Sequence, residues 1–273
     1  MLQDIQPWHF DNAFRQASPD ENSLTVFIKD NAVLVKETEE GIAFPRYGEL
    51  APPNAQYTYL FSLDDTAFFL SPAAEPQGDY DYHNMMEFRG KRPKHLAYAA
   101  AVACHLHNWY SRNRFCGRCG AEMVHDQKER MMRCENCGNM VYPRISPAVI
   151  VGVTDGERLL MTKYSGRIYK RYALIAGFAE IGETIEETVH REVMEEAGLK
   201  VKNIRYYKSQ PWPFSDSLLM GFYCDLDGSD TITLDTNELE CAEWIDRKDI
   251  DVEADGISLT NEMIVAFKDA LTV

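Results

Sequence analysis

Residues 177–199 read GFAEIGETIEETVHREVMEEAGL, and no other stretch constrains the fold as tightly. Ile185, Val189 and Val193 recur every four residues, which predicts a helix with one apolar stripe laid on a core. Thr184 stands where an N-cap belongs, and Gly198 where a helix ends in a left-handed turn. Glu192, Glu195 and Glu196 are spaced i, i+3 and i+4, so their side chains share one face. Three carboxylates so placed repel one another unless a cation lies among them. Hard oxygen ligands suit Mg2+ or Mn2+, ions that also bind phosphate oxygens. A solvated acidic helix face is the plainer reading of a Glu-rich stretch. It leaves the Gly, Arg and apolar letters around the carboxylates without a reason.

The chain has 273 residues, enough for two domains or three small ones. The order of elements predicts an α+β protein in three parts. They are a β-rich domain over 1–93, a helix with a four-cysteine ribbon over 94–142, and an α/β/α sandwich over 143–273. In the first part, 23–29, 32–36 and 57–63 are β-prone runs. The turn signals between them include Lys29-Asp-Asn31 and 52–54. Residues 94–112 predict one helix with Leu96, Ala99, Ala100, Ala103, Leu106 and Tyr110 as its apolar stripe. His95, His105 and His107 lie on or beside that helix, and packed or surface roles suit them better than metal ligation.

Cys116, Cys119, Cys134 and Cys137 form a Cys-x2-Cys-x14-Cys-x2-Cys pattern with a glycine after each pair. Two such turns aim four thiolates at one tetrahedral Zn2+ and leave no open position, so the site is structural. A redox role for one Cys-x-x-Cys pair is the rival. His125 lies between the pairs but is not needed as a ligand. Seven cysteines, an odd number, suit a reduced cytoplasm rather than a disulfide framework. No leader segment is evident at the N-terminus, and no apolar run is long enough to span a bilayer. A net charge of −15 argues against strong binding along a nucleic-acid backbone. A local basic patch remains, because Arg112, Arg114, Arg118, Lys128, Arg130 and Arg133 cluster in or near the ribbon.

In the last part, 148–153, 158–162, 173–176, 204–208, 217–225 and 241–245 predict strands, and 259–271 a closing helix. The pattern G-x5-E-x7-R-E-U-x-E-E-x-G-U, with U a bulky apolar residue, is met from Gly177 through Glu183, Arg191 and Glu192 to Gly198 and Leu199. This resembles the Nudix box of enzymes that hydrolyse a nucleoside diphosphate linked to another moiety. Downstream, Ser209-Gln-Pro-Trp-Pro-Phe214 followed by Ser217 resembles the motif of the NADH pyrophosphatase (NudC-type) branch. The cysteine ribbon upstream is a second mark of that branch. The resemblance is strong over 94–273 and only positional over 1–93.

The resemblance implies metal-dependent hydrolysis of NADH or NAD+ to nicotinamide mononucleotide and AMP, with removal of NAD caps from RNA 5′ ends as a related activity. It implies that Glu192, Glu195, Glu196 and Glu238 hold Mg2+ or Mn2+, with the Ala176 carbonyl beside them. Glu196 and Glu238 are the candidates for the general base. It pairs Arg191 with Glu183 as a structural brace, and it implies substrate contacts at Tyr142 and Glu129. It also implies a homodimer. On physical grounds, Pro211 and Pro213 fix the backbone around Trp212, a rigid platform for a flat heterocycle, with Phe178 as a second. Phe214 completes the motif, and Gln210, Ser215 and Ser217 carry groups that hydrogen-bond ribose or phosphate. Core packing is the competing role for Trp212 and Phe214. The chain departs from the family where a proline commonly follows the phenylalanine. Here the order is PFSDS, which leaves the roles of Ser215 and Asp216 open. Other readings are a Nudix hydrolase of another dinucleotide or ADP-ribose-type substrate, or a zinc-ribbon binding protein whose hydrolase fold is inactive.

Overall fold

The β-prone runs of the N-terminal part fold as strands closed by short turns. In the computed structural model, which describes residues 1–50, 55–166 and 171–271, these are β1 (Phe10–Asp11), β2 (Leu24–Lys29), β3 (Ala32–Thr38), β4 (Gly41–Ala43), β5 (Thr58–Leu63), β6 (Thr66–Ser71) and β7 (Tyr80–Asn84). The sheet order is β1-β5-β6-β2-β3-β4, with β7 paired to β3. Strands β2 and β6 run parallel. The β2–β3 hairpin turns at Asp30 and Asn31, whose φ angles of 50° and 60° are the left-handed pair a two-residue hairpin needs. The turn expected over 52–54 lies outside the described residues. Val26, Phe27, Leu34, Leu60, Phe61 and Phe68 are fully buried.

Helix α1 (Lys94–Arg112) covers the expected span but is not buried on one stripe. Ala97, Tyr98, Ala101, Val102 and Cys104 are buried along with Ala99, Ala100 and Ala103. Small side chains let neighbours close on the helix from all sides. The ribbon follows as three short antiparallel strands, β8 (Val124–His125), β9 (Met132–Arg133) and β10 (Met140–Val141). By their contacts, Leu2–Arg144 and Pro213–Asp216 form one unit, and Met1, Ile145–Trp212 and Ser217–Val273 the other.

The second unit is an α/β/α sandwich. Its strands are β11 (Ser146–Asp155), β12 (Arg158–Tyr164), β13 (Ile175–Phe178), β14 (Val201–Trp212), β15 (Ser217–Leu226) and β16 (Leu239–Asp246). The order is β14-β15-β11-β12-β16, with β13 paired to β11, and only β11 and β15 run parallel. Alternation along β11 divides the core in two. Val149, Val151 and Val153 pack with Val189 and Val193 of helix α2 (Ile185–Ala197). Ile150 packs with Leu159, Tyr223, Leu259, Met263 and Phe267, the last three from the side of helix α3 (Leu259–Lys268). Among the described residues, no helix is long and apolar enough to cross a membrane.

Candidate active site

Helix α2 is built as its sequence predicts. Thr184 accepts from the Glu187 amide at 3.2 Å, and Glu187 accepts from the Thr184 amide at 2.8 Å, a reciprocal cap. Gly198 closes the helix at φ 68° and donates to the Met194 carbonyl at 3.0 Å. The stripe Val189, Val193 and Ala197 is fully buried and fixes the rotation of the helix. That rotation divides the three glutamates: Glu192 and Glu196 turn inward and Glu195 stays exposed. The expected single face of three equivalent carboxylates is therefore two inner groups and one outer one.

Gly177 stands over Glu192. A Cβ there would lie 1.9 Å from the Glu192 carboxyl carbon, so only glycine lets strand β13 and this carboxylate approach. Arg191 braces the loop. Its Nε and Nη2 donate to Glu183 at 2.6 and 3.0 Å, and Nη2 also meets the Phe178 carbonyl at 2.8 Å. Its Nη1 donates to Glu192 at 2.7 Å and Glu195 at 3.0 Å. These bonds hold the Glu183 carboxyl down at about 2, with Arg191 the chief cause.

Glu196 is the outlier of the site. It is 1 % exposed, and neither carboxylate oxygen meets a hydrogen-bond partner of ordinary geometry. Burial pushes its carboxyl up to about 8; the charges of Glu192, Glu238 and Asp235 add to this, and the Ala176 backbone opposes it. Burial also raises the Glu192 carboxyl. Two buried acids within electrostatic reach of Glu238, one of them without a hydrogen bond of ordinary geometry, fit a divalent cation held by oxygen ligands. Ala176 lies on β13 opposite Ile150, and Glu238 is exposed at the entry to β16. Asp235, next to Glu196 through its backbone amide at 3.1 Å, was not anticipated. Nothing in its local sequence distinguishes it from a solvated turn residue.

The four cysteines converge as expected. Their sulfurs all lie within 4.8 Å of one another, with Cys116–Cys137 at 3.6 Å and Cys119–Cys134 at 3.5 Å. Gly120 and Gly138, at φ 75° and 73°, give the two knuckles matching turns. Among the described residues this is the one group of three or more cysteine, histidine or acidic side chains that converges so tightly. The donor set fits a closed tetrahedral Zn2+ site. Among the described residues, the histidines of α1 form no such group. His95 stacks on Trp8 at 4.2 Å, and His105 lies 2.9 Å from the Arg144 carbonyl.

The expected substrate residues fall into three sets. Phe178 is 53 % exposed, as a platform requires. Trp212 ends β14 half-buried, with Pro211 exposed before it. In the first unit, the Tyr142 hydroxyl donates to Glu129 at 2.7 Å. Pro213 is buried there, Ser215 is exposed, and Phe214 lies with its ring centre 5.8 Å from the Arg89 guanidinium. Two residues expected to contact substrate are buried, and a third is paired within its unit. Gln210 is fully buried; its Nε2 donates to the Ile257 carbonyl at 2.8 Å and its Oε1 accepts from the Leu259 amide at 2.7 Å. Its amide is thus engaged inside the fold, at the start of α3. Ser217 is 3 % exposed, paired with Trp212 in the sheet. Asp216, whose role the sequence left open, binds Arg112 at 2.8 Å. Arg130 also leaves the expected basic patch: it turns inward to Asn12 and the Leu60 carbonyl.

Residues 144–265 match the NUDIX domain, and residues 111–142 match the NADH pyrophosphatase zinc ribbon domain. The chain is 45% identical over 139 residues to a protein of Pectobacterium atrosepticum named NAD-capped RNA hydrolase NudC, covering 51% of this chain and 53% of that one. It is 40% identical over 172 residues to a protein of the same name from Pseudomonas syringae pv. tomato, covering 63% and 60%. The matched stretch spans about half the length of these curated relatives. A NUDIX hydrolase crystal structure from Nitrosomonas europaea is similar at 23% identity and TM-score 0.48, covering 57% of this chain and 91% of that one. With its box intact on α2 and its four cysteines gathered in the ribbon, the chain carries a Nudix domain preceded by a NADH pyrophosphatase zinc ribbon domain.

Proposed function

We propose that the protein hydrolyses the diphosphate bond of NADH or NAD+, releasing nicotinamide mononucleotide and AMP, and that it acts on the same bond in NAD-capped RNA. One observation carries the reading: the buried Glu196 carboxylate beside Glu192, without a hydrogen bond of ordinary geometry and repelled by the charge of Glu238. Glu192, Glu195, Glu196 and Glu238, with the Ala176 carbonyl, would hold Mg2+ or Mn2+. When bound, such ions supply charge neutralisation for the diphosphate and acidify the attacking water. The chain's own residues do the rest. Arg191 holds Glu192 at 2.7 Å and Glu195 at 3.0 Å and so pre-orients them. Glu196 or Glu238 takes the proton of the water. Phe178 and Trp212 offer flat faces to the heterocycles. The names of the relatives favour the capped-RNA substrate. The ribbon is read as a structural Zn2+ site, and the protein as a cytoplasmic homodimer.

The test is a product assay with Mg2+ and with Mn2+ over NADH, NAD+, ADP-ribose and a short NAD-capped RNA. The reading predicts reduced nicotinamide mononucleotide from NADH, and nicotinamide mononucleotide from NAD+ and the capped RNA. Turnover of ADP-ribose alone would move the protein to another substrate class. No turnover of any would leave an inactive binding protein.

A further inference from the structure

We propose that Asp216 is a positioning residue: its carboxylate, bound by Arg112 of α1, holds the Pro213–Asp216 turn and with it Phe214. The inference rests on the proposed function, with the motif turn that carries Phe214 taken as part of the substrate site. The turn belongs to the same unit as α1. Arg112 Nη1 donates to Asp216 Oδ2 at 2.8 Å, and His105 Nε2 lies 3.6 Å from Oδ1. The turn's own closure is weak, because the Asp216 amide reaches the Pro213 carbonyl only at 3.4 Å. Asp216 also sits at φ 54°, a left-handed conformation that aspartate tolerates without preferring. A weakly closed turn ending on a left-handed residue needs an outside tie, and Arg112 provides it; His105, whose Nε2 lies 2.9 Å from the Arg144 carbonyl, is a neighbour of the pair. Phe214 has a partner of its own in this unit, the Arg89 guanidinium, so the ring is placed only while the turn stays down.

Arg112 is 62% exposed and Asp216 21%. A pair so exposed contributes little to global stability. Its effect is local, setting how often the turn is in the conformation that presents Phe214. A ligand that needs a populated subset of conformers binds weaker in proportion to that subset. Loss of the tie should therefore raise KM and leave the chemical step alone.

The experiment uses the full chain at pH 8 with NADH, and compares Arg112→Gln, His105→Gln, Asp216→Asn and the swap Arg112→Asp/Asp216→Arg. Amide hydrogen exchange over residues 213–217 is measured in parallel. We expect Arg112→Gln to raise KM roughly two- to fivefold with kcat within about twofold, the size set by an exposed ion pair. Asp216→Asn should raise KM alike, His105→Gln less, and exchange in the turn should speed up in the same order. The swap should restore part of both, since arginine tolerates the left-handed backbone at 216 less well than aspartate. A KM rise for Asp216→Asn alone, with exchange unchanged, would make Asp216 a direct substrate contact and overturn the proposal. If the native protein does not turn over NADH, the functional reading fails by itself. The exchange arm then still decides the tie: faster exchange in the single variants supports it, and unchanged exchange sinks it.

Discussion

At the scale of single residues, Glu183 and Arg191 show how the box loop is held. The Glu183 carboxyl lies at about 2 in the folded chain against an ordinary value of 4.5, because Arg191 and the Glu180 amide favour its charge. A depressed carboxyl contributes stability above its unfolded value and loses it as pH falls toward its folded value. Glu183→Gln should therefore destabilise the protein at pH 7, and the gap from the native chain should narrow as pH falls from about 5 toward 2. Urea unfolding across that range measures it. A gap independent of pH would mean that the brace works by shape alone. Trp212 gives a second residue-level expectation. If it stacks on a base, Trp212→Ala should cut kcat/KM for NADH by roughly 5- to 150-fold, since stacking is worth about 1 to 3 kcal/mol. Unchanged kinetics would make the indole a packing residue.

At the scale of elements, legibility followed periodicity. Helix α1, helix α2 with its cap, and the cysteine knuckles were readable because their signals are local and regularly spaced. Strand β6, TAFFLS, was not read, because a continuous apolar run has no alternation to mark it. Strand β14 runs over Val201–Trp212, well beyond the expected 204–208. The strand includes Pro211 because β14 is the sheet edge, where a missing N–H leaves no ladder bond unmade. Gln210 was read as a ligand contact because its motif sits beside a box. Only the fold shows that its amide ties β14 to the start of α3. Gln210→Leu should thus cost about 1–3 kcal/mol for each backbone group left unpaired. Chemical denaturation would show this, whereas a substrate contact would raise KM without loss of stability. In the ribbon, Cys119→Ser should release zinc and lower the melting temperature. The native chain should hold about one zinc, as a closed four-thiolate site requires. A zinc-free native protein of full thermal stability would contradict the assignment.

At the scale of the whole molecule, the four parts of the candidate machinery come from distant stretches of chain. The box lies on α2, Glu238 at the entry to β16, Trp212 at the end of β14, and Tyr142 with Glu129 in the ribbon unit. Sequence spacing placed the box because one helix carries it. It could not place Asp235 beside Glu196, or divide the glutamates into inner and outer groups, because both follow from how α2 is rotated by its core. The account's central claim is that the inner carboxylates of α2 cleave a diphosphate. It is tested most directly by incubating NADH and Mn2+ with the native protein and with Glu196→Gln and separating the products. The account predicts equal amounts of AMP and reduced nicotinamide mononucleotide from the native protein, and a rate lower by roughly 10^3-fold or more for Glu196→Gln, as expected when a catalytic metal contact is lost. Intact NADH with the native protein, cleavage at a bond other than the diphosphate, or a Glu196→Gln variant of near-native rate would contradict it.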